Sequence, residues 1–187
     1  MDYFVDIRVN PDPEFPANQL MSALFSKLHR VLVSTKQKNI GVSFPSFNLK
    51  PVHLGNCLRL HSDRSSLTRL LETEWLMGIR DHVSVADPAQ VPINPEYRVV
   101  NRLQSKSNPE RLRRRLMQRH DLDKQQAIER IPDDAACFLD LPFVQLRSTS
   151  TGQNFRVFIN HGPIQSIASP GEYSAYGLSN CATIPWF

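Results

Sequence analysis

Five arginines fall within nine positions, at Arg111, Arg113, Arg114, Arg115 and Arg119, with no carboxylate among them and only Glu110 and Asp121 on the flanks. Like charges repel, so such a cluster implies a polyanionic partner that offsets the repulsion. On a helical wheel of about 100° per residue, Arg111, Arg114, Arg115 and Arg119 share one face. Leu112 and Leu116 form a narrow apolar strip that anchors the helix, and Arg113 points away. A solvated helix face would carry acids interleaved at i+4, and here none lies between Arg111 and Arg119. Residues 98–119 hold eight basic side chains and one acid, whereas the rest of the chain has 14 basic and 17 acidic residues. One strongly basic element on an otherwise mildly acidic protein is the footprint of a nucleic-acid binder. Ahead of it, Arg102 and Gln104 suit the edges of guanine and adenine, and Phe155 is an aromatic that could stack on a base or a terminal pair. A strand phenylalanine is also a common core residue.

The second candidate chemistry is proton transfer. Six histidines are present, at positions 29, 53, 61, 82, 120 and 161, and no two stand at i,i+4 on one helix. No carboxylate completes a metal site, so no metal and no cofactor are expected. Metal-free RNA cleavage has a simple route: the 2′-OH attacks its own phosphate, leaving a 2′,3′-cyclic phosphate and a 5′-OH. Histidine suits the proton transfer because its ordinary pKa is near 6.5. His29 lies at the border of an apolar helix stripe, which is compatible with a structural histidine or with a partly exposed catalytic one. The segment "RSTSTG" (147–152) sets hydroxyls beside a basic residue. It reads equally as a phosphate or 2′-OH contact and as an ordinary polar hairpin.

These groups need elements to hold them. "YFVDIRV" alternates as a strand, and "ANQLMSALFSKLHRVLVS" has Leu20, Leu24, Leu28 and Val31 at helical spacing. Short strands follow at 40–44 and 57–61. A helix capped by Ser62 or Asp63 spans 62–72, and a strand at 81–87 closes the unit. The order β-α-β-β-α-β predicts a ferredoxin-like domain over residues 1–94. The proline-rich "DPAQVPINPE" reads as a linker. Residues 95–187 then form an α+β domain that carries the nucleic-acid-binding element, an RNA-binding domain if the partner is RNA. It has an extended segment at 97–104, an arginine-rich helix capped by Asn108 with Pro109 first, and a helix at 123–131. A hairpin at 143–160 turns at Gly152, and a second hairpin pairs "HGPIQ" with "EYSAYGLS". The fold class is therefore α+β. No run approaches 18 apolar residues and no signal peptide is readable. Three distant cysteines argue for a reducing compartment, so a cytoplasmic protein is expected.

Three stretches sharpen the reading: "DIRVNPDPEFPANQLMSALFSKLHRVLV", "SNPERLRRRLMQRHDL" and "LPFVQLRSTSTGQNFRVFI", with the terminal "PWF". With them the whole chain resembles the Csy-type CRISPR repeat-processing endoribonucleases of type I-F systems. The resemblance implies metal-free cleavage of CRISPR repeat RNA at the 3′ base of a stem-loop. It also implies retention of the hairpin product and membership of a crRNA-guided interference complex with other subunits. It makes His29 the general base, Ser148 the holder of the 2′-OH and Tyr176 the residue that positions the histidine. Ser150 and Thr151 match the loop beside the scissile phosphate. Arg102 and Gln104 match readers of the lower stem. Arg114, Arg115, Arg119 and His120 match the groove-inserted helix, and Phe155 matches the aromatic under the terminal pair. Gln118 stands where a further basic residue is common in the family. The alternatives from the residues alone are a non-catalytic hairpin-RNA-binding subunit and a DNA-binding regulator.

Overall fold

The structure is a computed structural model that describes residues 1–104, 109–132, 139–149 and 151–187, without the side chains of residues 109–111. The expected cap Asn108, the side chain of Arg111 and all of Ser150 lie outside the described residues. The chain forms two compact units. The larger comprises Met1–Arg102 and Leu141–Phe187, and the smaller comprises Leu103–Asp140.

The larger unit begins with β1 (Tyr3–Val9) and α1 (Ala17–Thr35). Next come β2 (Gly41–Ser43), a small hairpin of β3 (Asn48–Leu49) and β4 (Val52–His53), and β5 (Cys57–Ser62). Then follow α2 (Arg64–Glu72), a 3-10 turn (Arg80–His82), β6 (Val83–Val85) and β7 (Ala89–Gln90). The strands lie in the order β2-β5-β1-β6, with β7 also on β1, and the ladders from β1 and β5 are antiparallel. Alternation along β1 sends Val5, Ile7 and Val9 into the core. There they meet the stripe of α1 formed by Leu20, Leu24, Phe25, Leu28 and Leu32. Helix α1 ends where Lys36 turns left-handed, φ 55°. Asp63 caps α2 by accepting from the Ser66 N–H at 2.8 Å, one of the two caps expected.

The other face of β1 carries a charged pair. Asp6 and Arg59 stand opposite each other across β1 and β5, and both side chains are buried. Arg59 donates through Nε at 2.6 Å and Nη2 at 3.1 Å to the two carboxylate oxygens. Its Cζ lies 4.5 and 4.2 Å from the ring centroids of Phe4 and Phe187, which meet edge to face at 4.9 Å.

A second sheet, in the order β11-β8-β10-β9, joins β8 (Glu96–Leu103), β9 (Phe143–Arg147), β10 (Asn154–Gln165) and β11 (Thr183–Trp186). Its buried residues Val144, Leu146, Val157, Ile159 and Ile184 are continuous with the core of the first sheet. The segment "HGPIQ" prolongs β10 instead of opening a second hairpin. "EYSAYGLS" forms a turn, held by Ser174 N–H to the Leu178 carbonyl and Gly177 N–H to the Ser174 carbonyl, both 2.8 Å. Gly177 takes φ 69° there, which a strand cannot accommodate. No helix among the described residues is long and apolar enough to cross a membrane.

Two imidazoles sit inside this unit. His61 is fully buried, with Nε2 at 2.8 Å from the Ser43 hydroxyl. His161 stacks on Phe47 at 3.9 Å beside Trp186. Burial first, then the nearby Arg59 and Arg98 respectively, push both down to about 3. The unfolded chain protonates these two histidines near pH 6.5, while the folded one does so only near pH 3. Their contribution is therefore full above about pH 6.5 and is lost progressively as pH falls toward 3. Denaturant midpoints measured across that range should fall with pH, and His161→Phe should flatten the decline.

In the smaller unit, α3 (Pro109–His120) and α4 (Lys124–Arg130) pack as a helical pair. Asp123 and Gln126 form a reciprocal capping box at the start of α4. Leu112 and Leu116 are half-buried, as the apolar strip predicts, and Ala127 is fully buried. Arg113, on the side away from the basic face, donates through Nε to the Ile131 carbonyl at 2.7 Å. It thus ties α3 to the end of α4, a role its angle on the wheel leaves open.

Candidate active site

Helix α1 brings His29 to the flank of its apolar stripe, where the side chain is half-buried. Strand β9 lies against the same flank, and the Gln145 N–H donates to the Ser22 hydroxyl at 3.0 Å. Ser148 follows directly at the end of β9. Its turn is closed by Ser148 N–H to the Gln153 carbonyl and Gly152 N–H to the Ser148 carbonyl, each 2.9 Å. Gly152 adopts φ 66°, as the hairpin requires. The Thr151 N–H donates to Ser148 Oγ at 3.3 Å.

The turn around Gly177 supplies the third side. It is fastened to β2 by the Val42 N–H donating to the Gly177 carbonyl at 2.9 Å. The Tyr176 ring stacks on the His29 imidazole at 4.0 Å between centroids and 10° between planes. It also lies parallel to Phe25, at 6.2 Å. The neighbouring Ala175 carbonyl accepts from His29 Nδ1 at 2.9 Å. A carbonyl can only accept, so Nδ1 carries the hydrogen and the Nε2 lone pair of the neutral ring is left for chemistry.

His29, Ser148, Phe155 and Tyr176 line one cleft of about 330 Å³, with Arg147 and Arg30 among its other walls. The cleft thus gathers a base with a defined tautomer, a hydroxyl and two cationic side chains. Phe155 is half-buried against the core and still forms part of the wall. Arg102 sits over the aromatic rings, with Cζ 5.5 Å from Tyr176 and 5.9 Å from Phe155. Its Nε is buried with no hydrogen-bond partner among the described residues. Among the described residues no three His, Cys, Asp or Glu side chains gather into a metal-binding group.

The remaining candidates lie elsewhere. Thr151 is exposed in the turn next to Ser148. In the smaller unit, Gln104, Arg114, Arg115, Arg119 and His120 are all exposed. The Ala175 carbonyl is a participant that no sequence pattern marks, because any residue type carries one.

Gly177 makes the site sensitive to a single methyl group. A Cβ there would stand 2.5 Å from Val42 Cγ1 and would have to tolerate φ 69°. Gly177→Ala should cost about 1–3 kcal/mol of stability and should displace Tyr176 and Ala175 from His29. Thermal unfolding and any activity of the cleft, measured on one preparation, should fall together.

The family model described as CRISPR-associated protein (Cas_Csy4) matches residues 4–187. A "CRISPR-associated endonuclease Cas6/Csy4" of Pseudomonas aeruginosa (strain UCBPP-PA14) is 55% identical over 187 residues, covering 100% of both chains. A protein with the same description from Escherichia coli (strain UTI89 / UPEC) is 46% identical, again over 100% of both. The similarity read from three stretches of sequence therefore extends across the chain, which belongs to the Cas_Csy4 family of CRISPR-associated proteins.

Proposed function

We propose that the protein is a metal-independent endoribonuclease acting on the stem-loop of CRISPR repeat RNA. It cleaves at the 3′ base of the stem and keeps the crRNA hairpin. The observation that carries this reading is the cleft in which His29, with its Nε2 lone pair available, faces the same space as Ser148. Ser148 holds the 2′-OH of the nucleotide before the cut, and His29 Nε2 takes its proton. The 2′ oxygen bonds to phosphorus as the P–O5′ bond breaks. The departing oxygen gains a proton, so the products are a 2′,3′-cyclic phosphate and a 5′-OH. The substrate supplies its own nucleophile, which is why no metal is needed to generate one. Tyr176, stacked on the imidazole, and the Ala175 carbonyl hold the ring in one orientation.

In this reading the N-terminal sheet is a ferredoxin-like platform over residues 1–94, supported by the strand order and its two helices. Residues 95–187 supply most RNA contacts: Arg102 and Gln104 to the lower stem, Phe155 beneath its terminal pair, and Ser150 and Thr151 beside the phosphate. Arg111, Arg114, Arg115, Arg119 and His120 follow the backbone in a groove that a short hairpin leaves open at its end. The cytoplasm is the site of action, and other subunits of a type I-F interference complex are partners through the retained RNA. Slow product release would limit turnover.

The test is hairpin RNA incubated in EDTA, with the product ends analysed. Cleavage with cyclic-phosphate ends is expected; a requirement for metal or 3′-OH ends would overturn the reading. Binding separates from chemistry on α3. Arg115→Ala should weaken hairpin affinity by about 10–100-fold, the range for a bidentate base contact. It should also lower the slope of log affinity against log salt by about one if the contact is to phosphate. Titrations at several salt concentrations decide between the two.

A further inference from the structure

The cleft of His29 and Ser148 does not end at Ser148. It shares Ser26, Leu146 and Arg147 with a larger groove of about 1200 Å³. That groove continues along the first turns of α1 and the start of β9, past His53 on the small hairpin. Its described lining contains no Asp or Glu, although the chain has 18 of them. Arg147 is its cationic group, and His53 adds an imidazole. Exposed amides at Asn18, Gln19, Gln145 and Asn154 offer both donors and acceptors. Phe143, 37% exposed, adds an aromatic surface of the kind bases stack on. The start of α1 has no side-chain cap and no acid in its first turn, so this end of the groove is also favourable to negative charge.

Arg147 stands at the junction. Its Nε donates to the Gly152 carbonyl at 3.1 Å. The guanidinium is planar and rigid, so this bond fixes the direction of the fork. The terminal amines have no protein partner among the described residues, and the side chain is exposed. A polyanionic strand passing from the cleft into the groove has to pass this fork.

We infer that the groove binds the single-stranded RNA that lies 3′ of the cut, with Arg147 on the first phosphate beyond the scissile one. The inference rests on the endoribonuclease reading, which sets the scissile phosphate between His29 and Ser148. The nucleotide before the cut is held by its pairing in the stem. The strand after the cut is unpaired and leaves through the opening at Arg147. The 5′ flank departs from the opposite strand of the terminal pair, a duplex width away. The groove would then help recognise uncut precursor and would hold nothing once the 3′ fragment has gone.

The test uses the intact protein and non-cleavable hairpins with a 2′-deoxy nucleotide at the cut. One RNA stops at the cut, a second carries a 3′ extension of about six nucleotides, and a third carries the same extension at its 5′ end. The 3′ extension should tighten binding roughly tenfold, the scale of a charge-assisted hydrogen bond. That gain should vanish in Arg147→Ala, judged against the same variant's own affinity for the RNA without extension. Arg147 also braces the Ser148 turn, so Gln145→Glu provides a second variant. It adds a carboxylate to the groove from an exposed position and should remove the same gain. A 3′ extension that adds no affinity would overturn the inference, as would an equal gain in both variants or a gain from the 5′ extension instead. Failure of all three RNAs to bind would overturn the underlying reading, and is recognisable as such.

Discussion

His29→Ala should slow cleavage of the hairpin by about 10²–10⁴-fold, the range for losing a general acid–base group. Affinity for the hairpin should stay within a few-fold of the native value. The separation follows from the site's construction: His29 projects from α1 of the larger unit, whereas the exposed cations Arg114, Arg115 and Arg119 belong to α3 of the smaller one. Removing the imidazole takes away the proposed proton acceptor and the face on which Tyr176 stacks, and leaves the basic helix untouched. Single-turnover rates and equilibrium binding, measured on the same preparation, check both halves. A variant that cuts at the native rate would remove His29 from the mechanism, and one that no longer binds would make it an affinity residue.

Arg59→Ala should destabilise the fold by up to about 3–5 kcal/mol, because it removes the buried partner of the Asp6 carboxylate and leaves it only the half-exposed Arg8, whose Nη2 donates to it at 3.3 Å. The geometry makes the loss steep. Arg59 is bidentate to Asp6, and its Nη1 also donates to the Phe187 main-chain oxygen at 3.2 Å. Its guanidinium also packs against the edge-to-face pair of Phe4 and Phe187. Replacing both partners with apolar residues of similar size should cost far less, since no charge would then be left buried. Chemical denaturation of the single and double variants measures the difference. Equal losses in the two would mean that packing, not the stranded charge, sets the penalty.

The sequence made parts of this structure legible for physical reasons. Period-two alternation in "YFVDIRV" and the leucine spacing of α1 record directly which face meets the core, so β1 and α1 emerge close to their expected bounds. Asp63 is readable as a cap because short acidic side chains satisfy free helix N–H groups. The Asp6–Arg59 pair is not readable, because it depends on the register of two strands far apart in sequence. The same limit explains "EYSAYGLS". Its alternation imitates a strand, but what fixes it is the bond from Val42 on a distant strand and the left-handed Gly177.

At the candidate site the residues alone left His29 between a structural and a catalytic role, since a border position on a helix fits both. Family resemblance picked out His29, Ser148 and Tyr176. Their convergence on one cleft depends on β9 lying against α1 and on the Gly177 turn reaching back to β2. Neither contact has a local sequence signal. The basic face of α3 is the opposite case. Unpaired charge is visible in composition alone, and the exposure of Arg114, Arg115 and Arg119 follows from it.

The central claim is that the 2′-OH of the nucleotide before the cut is the nucleophile, activated in the cleft of His29 and Ser148. The most direct measurement compares two hairpins that differ only in a 2′-deoxy sugar at that nucleotide, incubated with the native protein in EDTA. The all-RNA hairpin should be cut, and the deoxy hairpin should bind equally well but stay whole. Cutting of the deoxy hairpin at the same position would contradict it.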